Sequence, residues 1–232
     1  MRTRQPDSGA RLGFLEELRL QRWDDHRLYH HSRINQSLHL LSAFSFLTSY
    51  ALLIFEPGMA AIVGWIFAMC SRQTGHFFFE PDDYDELNQA SHAEKEAVKV
   101  GYNLRRKVIL LSIWAATPIL LWLKPDLFGL FEPHTSRDAY IDNLAVLWLG
   151  LGVAGLLVRT VQLFFIRSVQ TGLVWATKIL TDPFHDVKLY LRSPLYLLQG
   201  QLIDPMDDVR LAFDDAGDAG FEDSLEEPVT EN

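Results

Sequence analysis

The sequence predicts an all-α, polytopic membrane protein with about four transmembrane helices and a C-terminal interfacial segment. Three observations predict it. Apolar residues make up 48% of the 232, and they are bunched into runs instead of following the period of a soluble core. Four of those runs, 37–55, 59–79, 108–123 and 144–166, approach the length of about 20 residues that a helix needs to cross the hydrocarbon layer. Lys and Arg collect in alternate connections between the runs, which is how cytoplasmic loops are marked.

Taken in order, residues 1–12 show no apolar period and read as unstructured. Residues 14–28 (F-L-E-E-L-R-L-Q-R-W-D-D-H-R-L) set Leu15, Leu18, Trp23 and Leu28 among charges. That is an amphipathic helix lying in the interface or solvated on one side, and 1–28 forms an N-terminal cytoplasmic segment. Residues 29–167 form the transmembrane domain. Glu56-Pro57-Gly58 is a tight turn that makes the first two spans an antiparallel hairpin, so the start of the first lies level with the end of the second. The polar loop 80–107 holds a helix at 91–100 and ends in Arg105-Arg106-Lys107. The third span contains Pro118, tolerated in membranes as a kink. Residues 168–180 continue the fourth helix outward, 181–185 (T-D-P-F-H) break it, and 187–198 fold back, so that 168–212 is a membrane-surface segment. Residues 213–232 are an acidic tail expected to be disordered.

Before the first span lie seven Lys and Arg, and loop 80–107 holds five; more follow from Arg167. The 56–58 turn has none, and 124–143 has only Lys124 and Arg137. Both termini are therefore expected in the cytoplasm, and with no cleavable leader the chain fits a bacterial inner membrane or an ER membrane. A formal charge of −9 disfavours nucleic acid as a partner. One cysteine, Cys70, excludes an intramolecular disulfide and a thiolate cluster.

Seven of the eight histidines fall on the cytoplasmic side. In Y-H-H-S-R-I-N-Q-S-L-H (29–39), His31, Asn35 and His39 are spaced by four, so on a helix they drift only about 80° and share a face. In Q-T-G-H-F-F-F-E (73–80), His76 and Glu80 are again four apart. Ionisable residues at membrane depth are costly and mark function, although single interfacial histidines also cap helices or bond headgroups. His31, His39 and His76 are candidate metal ligands. Asn35, Gln73 and Glu80 would fix the imidazole tautomers, Glu80 could itself be a ligand, and Asn35 and Glu80 are the candidate catalytic residues. Imidazole and carboxylate without thiolate suit iron, manganese or zinc, and iron where dioxygen reacts. A bis-histidine haem would want deeper ligands. Arg72, one turn before His76, or the Arg105-Arg106-Lys107 run could hold a carboxylate; Arg159 could do so too, or snorkel. His92 and His185 read as surface residues or as supports to a ligand. Gly150, Gly152 and Gly155 spell G-x-G-x-x-G inside an apolar span, which is helix packing by small residues and no dinucleotide loop.

Y-H-H-x-x-x-N-x-x-x-H at 29–39, with G-W-I-F at 64–67 and G-H-x-x-F-E at 75–80, resembles the 2-hydroxy fatty acid dioxygenase family of fatty acid α-oxidation, whose fungal members act in phytosphingosine breakdown. The resemblance spans about residues 25–125. It implies a small polytopic membrane protein with Fe2+ on conserved histidines, here His31, His39, His76 and His30, that uses dioxygen to convert a 2-hydroxy fatty acid to the acid one carbon shorter. Two departures bear on the substrate: Glu80 is followed by P-D-D-Y-D-E where a basic stretch is usual, and the last span and 181–206 have no counterpart. The alternatives are a di-iron lipid hydroxylase, suggested by H-x-x-x-H-H at His26, His30 and His31, and a non-enzymatic membrane scaffold.

Overall fold

The computed structural model describes residues 12–80, 83–102 and 104–210. The expectations for the N-terminal stretch (bar Leu12) and for the acidic tail lie outside the described residues. Those described form an all-α bundle whose only β-type pairings are two isolated bridges.

Helix α1 (Phe14–Tyr29) opens with Glu16 bonded back to the Gly13 N–H at 2.8 Å. A three-residue turn leads into α2 (Arg33–Leu52), where the Ser32 hydroxyl accepts from the Ile34 and Asn35 N–H groups. Such a cap satisfies donors that the first helical turn leaves free. The second rod is continuous in three parts: α3 (Pro57–Ile62), a π-helical stretch Val63–Met69, and α4 (Cys70–Phe78). Pro57 suits the first turn, since its missing N–H has no partner there anyway. The expected antiparallel hairpin forms, with α2 against both the π stretch and α4. Gly64 lets the two rods close, because a Cβ there would sit 3.2 Å from Ser49 Oγ.

In the loop, α5 (His92–Val98) is capped by Ser91 and Glu94 reciprocally. Helix α6 (Leu104–Leu123) absorbs Arg105, Arg106 and Lys107 into its first turns and runs through Pro118. Helix α7 (Arg137–Ile166) packs on α6, on α3 and on α8 (Val169–Tyr190); α9 (Ser193–Leu198) returns to α2.

The C-terminal region differs from the sequence reading. The helix does not continue past α7: the chain turns at Arg167, Ser168 caps α8, and α8 runs back against α7, α2 and α1 as a full member of the bundle. Nor does 181–185 break it. Pro183 forgoes one backbone hydrogen bond, but side chains on either side of it are tied down: Lys178 to Asp182 at 2.5 Å, and Asp186 to Arg72 at 2.9 Å.

Among the described residues, two helical segments, Arg105–Leu123 and Arg137–Ile166, are long and apolar enough to cross a membrane. Only 11% and 28% of their apolar windows are buried, unlike the core helices of a soluble protein. Helix α2 and the 57–78 rod are long enough as well, but their inward faces carry Asn35, Gln36, His39, Arg72 and His76.

The α7–α8 turn depends on Gly172. A Cβ there would stand 2.6 Å from the Phe164 ring and 2.8 Å from the Thr160 carbonyl oxygen. Gly172→Ala gains about 1 kcal/mol of helix propensity and meets overpacking of about 1–3 kcal/mol against a backbone atom that cannot rotate away. A net loss, read as a lower unfolding temperature in detergent, is expected.

Candidate metal centre

Three histidines from three different elements meet. His30 comes from the α1–α2 turn, His39 from the second turn of α2, and His76 from α4. One nitrogen of each lies within 4.8 Å of the others, His30 Nε2 and His39 Nε2 being 3.2 Å apart. Ring centroids are separated by 4.2 Å (His30–His39), 4.8 Å (His39–His76) and 5.8 Å (His30–His76).

Local folding puts them there. The turn after α1 is clamped by α2: Asn35 Nδ2 donates to the Tyr29 carbonyl at 2.9 Å, and Gln36 Nε2 donates to the His30 carbonyl at 2.8 Å. Gly75 brings α4 against α2, since a Cβ on it would collide with Asn35 Oδ1 and lie 3.5 Å from the His39 ring. The G-H pair at 75–76 is thus a close approach followed by the ligand it delivers.

The far nitrogens set the tautomers. His30 Nδ1–H donates to the Asp25 carbonyl at 2.7 Å, so its Nε2 is a bare lone pair. His76 Nδ1–H donates to Glu80 Oε2 at 2.9 Å, which leaves its Nε2 bare as well. Glu80 is steadied on its other oxygen by Lys99 at 2.9 Å. His39 Nδ1 is buried without a hydrogen-bond partner and faces Asp186 Oδ2 at 3.7 Å. Each neutral tautomer of His39 leaves one nitrogen ill served. With the proton on Nδ1, two Nε2 lone pairs face each other at 3.2 Å; with it on Nε2, the ring donates to His30 and its buried Nδ1 lone pair is left without a donor. A further proton on the pair is disfavoured, because burial, and then the adjacent His39, push His30 down to about 3. A cation bound between the rings removes the conflict. The donor set therefore fits a metal, and imidazoles oriented from behind by a carbonyl and a carboxylate are the usual form of such sites.

Other expected site residues lie elsewhere. His31 is corrected: its Nε2–H donates to the Arg27 carbonyl at 2.6 Å and stands 3.5 Å from Asp85, away from the cluster. Asn35 acts on the turn and its amide nitrogen makes its bond to Tyr29. Arg72 is committed to the protein, bonding Asp186 at 2.9 Å with Asp182 at 3.8 Å. His26 bonds Tyr190 and Asp208; His92 is exposed on α5; His185 is half-buried on α8; Arg159 donates to the Val100 and Gly101 carbonyls.

Sequence reasoning missed α8. Lys178, Asp182, Asp186 and Tyr190 recur every four residues on one buried face. Lys178 bridges Asp182 and Asp25, Arg22 joins Asp182, and Tyr190 packs on the His30 ring at 5.6 Å. That spacing is the same signal that singled out 31–39, but the proline within it reads as a stop.

His76 also lines a cavity of about 600 Å³. Its polar end carries Asp25, Arg72, Lys99, Lys107 and Lys178; it then runs between α2, the 57–78 rod, α6 and α7 toward Trp65, Trp114 and Trp148. That volume lies in the range of small-molecule sites. Comparison with models of protein families, with curated proteins and with solved structures gives no match in any of the three.

Glu80→Gln keeps the size of the side chain but weakens the acceptor behind His76. Metal affinity is expected to fall about 10- to 100-fold, measured by competition with a chromogenic chelator, whereas His31→Ala leaves it within about twofold because His31 is not in the donor set.

Proposed function

We propose that this protein is a membrane-embedded non-haem iron dioxygenase that oxidises a 2-hydroxy fatty acid, or a similar lipid, to the product one carbon shorter. The observation that carries the reading is the set of three imidazoles whose lone pairs converge at the polar end of an apolar cavity. The resemblance of the two histidine motifs supplies the reaction class and the metal. In balance, the 2-hydroxy acid and dioxygen give the shorter acid, carbon dioxide and water. In this reading α2 and the 57–78 rod join α6 and α7 as four spans, both termini are cytoplasmic, and the compartment is a bacterial inner membrane or its ER equivalent.

His30, His39 and His76 would hold Fe2+, which when bound supplies the site for dioxygen and for oxidation at the carbon bearing the hydroxyl. The remaining work belongs to the chain. Asp25, through its backbone carbonyl, and Glu80 hold Nδ1–H on His30 and His76, keeping Nε2 directed inward. The apolar wall takes the acyl chain and excludes water, which strengthens every charge interaction at the polar end. A chain held in one orientation presents the same carbon to the histidines at each encounter.

Two other readings keep an observation each. A di-iron hydroxylase would need further ligands, and among the described residues the cluster is limited to three histidines. A scaffold would leave the lone-pair conflict at His39 without a purpose.

Detergent-purified protein reconstituted anaerobically with ferrous ion should hold about one iron per chain, lost in His39→Ala and in His76→Ala, and should shorten 2-hydroxypalmitic acid by one carbon when dioxygen is admitted. No bound metal sinks the enzyme reading; two irons with a hydroxylated product of unchanged length would replace it with the hydroxylase.

A further inference from the structure

We infer that Lys107 is the counter-charge that seats an acidic lipid head group beside the histidine cluster. This rests on the fatty acid reading of the cavity and names the residue that discriminates the acid from uncharged lipids of the same chain length.

The inference comes from a census of charge at the polar end. Arg72 pairs with Asp186 and Asp182, Lys178 with Asp25 and Asp182, and Lys99 with Glu80 and Glu96. Each of these cations already has its carboxylate. Lys107 lines the same cavity and has no ion-pair or hydrogen-bond partner among the described residues. It is half-buried, four residues into α6, with Leu110, Leu111 and Trp114 following it at i+3, i+4 and i+7. All four residues line the cavity, so one stripe of α6 changes from ammonium to apolar wall within two turns, about 10 Å.

An ammonium drawn partly out of water without a partner is unfavourable. A bound anion relieves it. The opposite wall carries His76 at the same end, and the charge on Lys107 acts on His76, Glu80 and Asp25. A carboxylate held at Lys107 therefore lies at the mouth of the histidine cluster, with its chain directed along Leu110, Leu111 and Trp114. Arg72, the alternative to the 105–107 run in this role, would have to abandon two buried aspartates to fill it.

The test uses a doxyl-labelled stearic acid and its methyl ester as probes. Four tryptophans, Trp65, Trp114, Trp148 and Trp175, line the cavity, so quenching of their fluorescence reports occupancy. The full chain is titrated as purified and after chelation, at a pH where the acid is ionised. Wild type should bind the acid at least about thirtyfold more tightly than the ester. Lys107→Met should lose that preference with ester binding unchanged, and Lys107→Arg should keep most of it. Preference retained in Lys107→Met, equal loss for acid and ester, or no preference in wild type would each overturn the inference. Iron content measured on the same samples separates the two readings. A wild type that takes up no iron but prefers the acid through Lys107 loses the oxidative function and keeps the lipid site.

Discussion

A buried run of alternating charge, Asp25–Lys178–Asp182–Arg72–Asp186, ties α1, α8 and α4 together around α2. Burial alone would raise the Asp25 carboxyl, but the Lys178 ammonium holds it well below the usual range; burial would likewise lower Lys178, and Asp182 and Asp25 raise it instead. Both stay charged. Such networks add little net stability over an apolar core, while the loss of one member costs about 3–5 kcal/mol. The network's value here is placement. Asp25 contributes its carbonyl to His30, Asp186 faces His39, and Arg72 stands one helical turn from His76. A shift of α8 would disturb the backing of two of the three imidazoles.

Much of the site was legible from spacing alone, and its errors have local causes. His39, His76 and Glu80 fall together because a hairpin of two rods brings their ends level. The choice of His31 assumed helix through 29–39. The chain instead leaves the helix at His30, and Ser32 caps a new one, so the register shifts and His30 turns inward. Ser32 is a common N-cap residue two positions after His30, which is the signal that could have found the break. On α8 the four-residue repeat is equally plain, yet Pro183 reads as an end. Tertiary ion pairs on both sides of the proline outweigh the single hydrogen bond it removes.

The long helices divide for a related reason. Helices α6 and α7 leave apolar residues exposed away from the cavity, among them Ile119, Leu157 and Phe165. They are long and apolar enough to cross a membrane because few of their side chains serve the histidine cluster. Helix α2 and the 57–78 rod hold His39, His76 and the residues that clamp the cluster, so their composition is diluted by polar side chains. Average hydropathy therefore separates wall from site. The π-helical stretch falls in the site-building rod, where a widened turn rotates the residues after it relative to an unbroken helix.

Lys99, Glu80 and His76 show how the two ends of the site act on one another. Burial would lower Lys99, but Glu80 and Glu96 raise it, so it remains an ammonium, seated 4.0 Å over the Tyr29 ring. That ammonium donates to Glu80 Oε1, and Glu80 Oε2 accepts from His76 Nδ1–H. Tyr29 in turn donates to the Lys95 carbonyl at 2.7 Å and offers its own carbonyl to Asn35. The residue that steadies Glu80 from loop 80–107 thus rests on the turn that presents His30. Lone-pair direction at His76 and at His30 is consequently one property of the folded bundle, set by the same few contacts between α1, α5 and the start of α2.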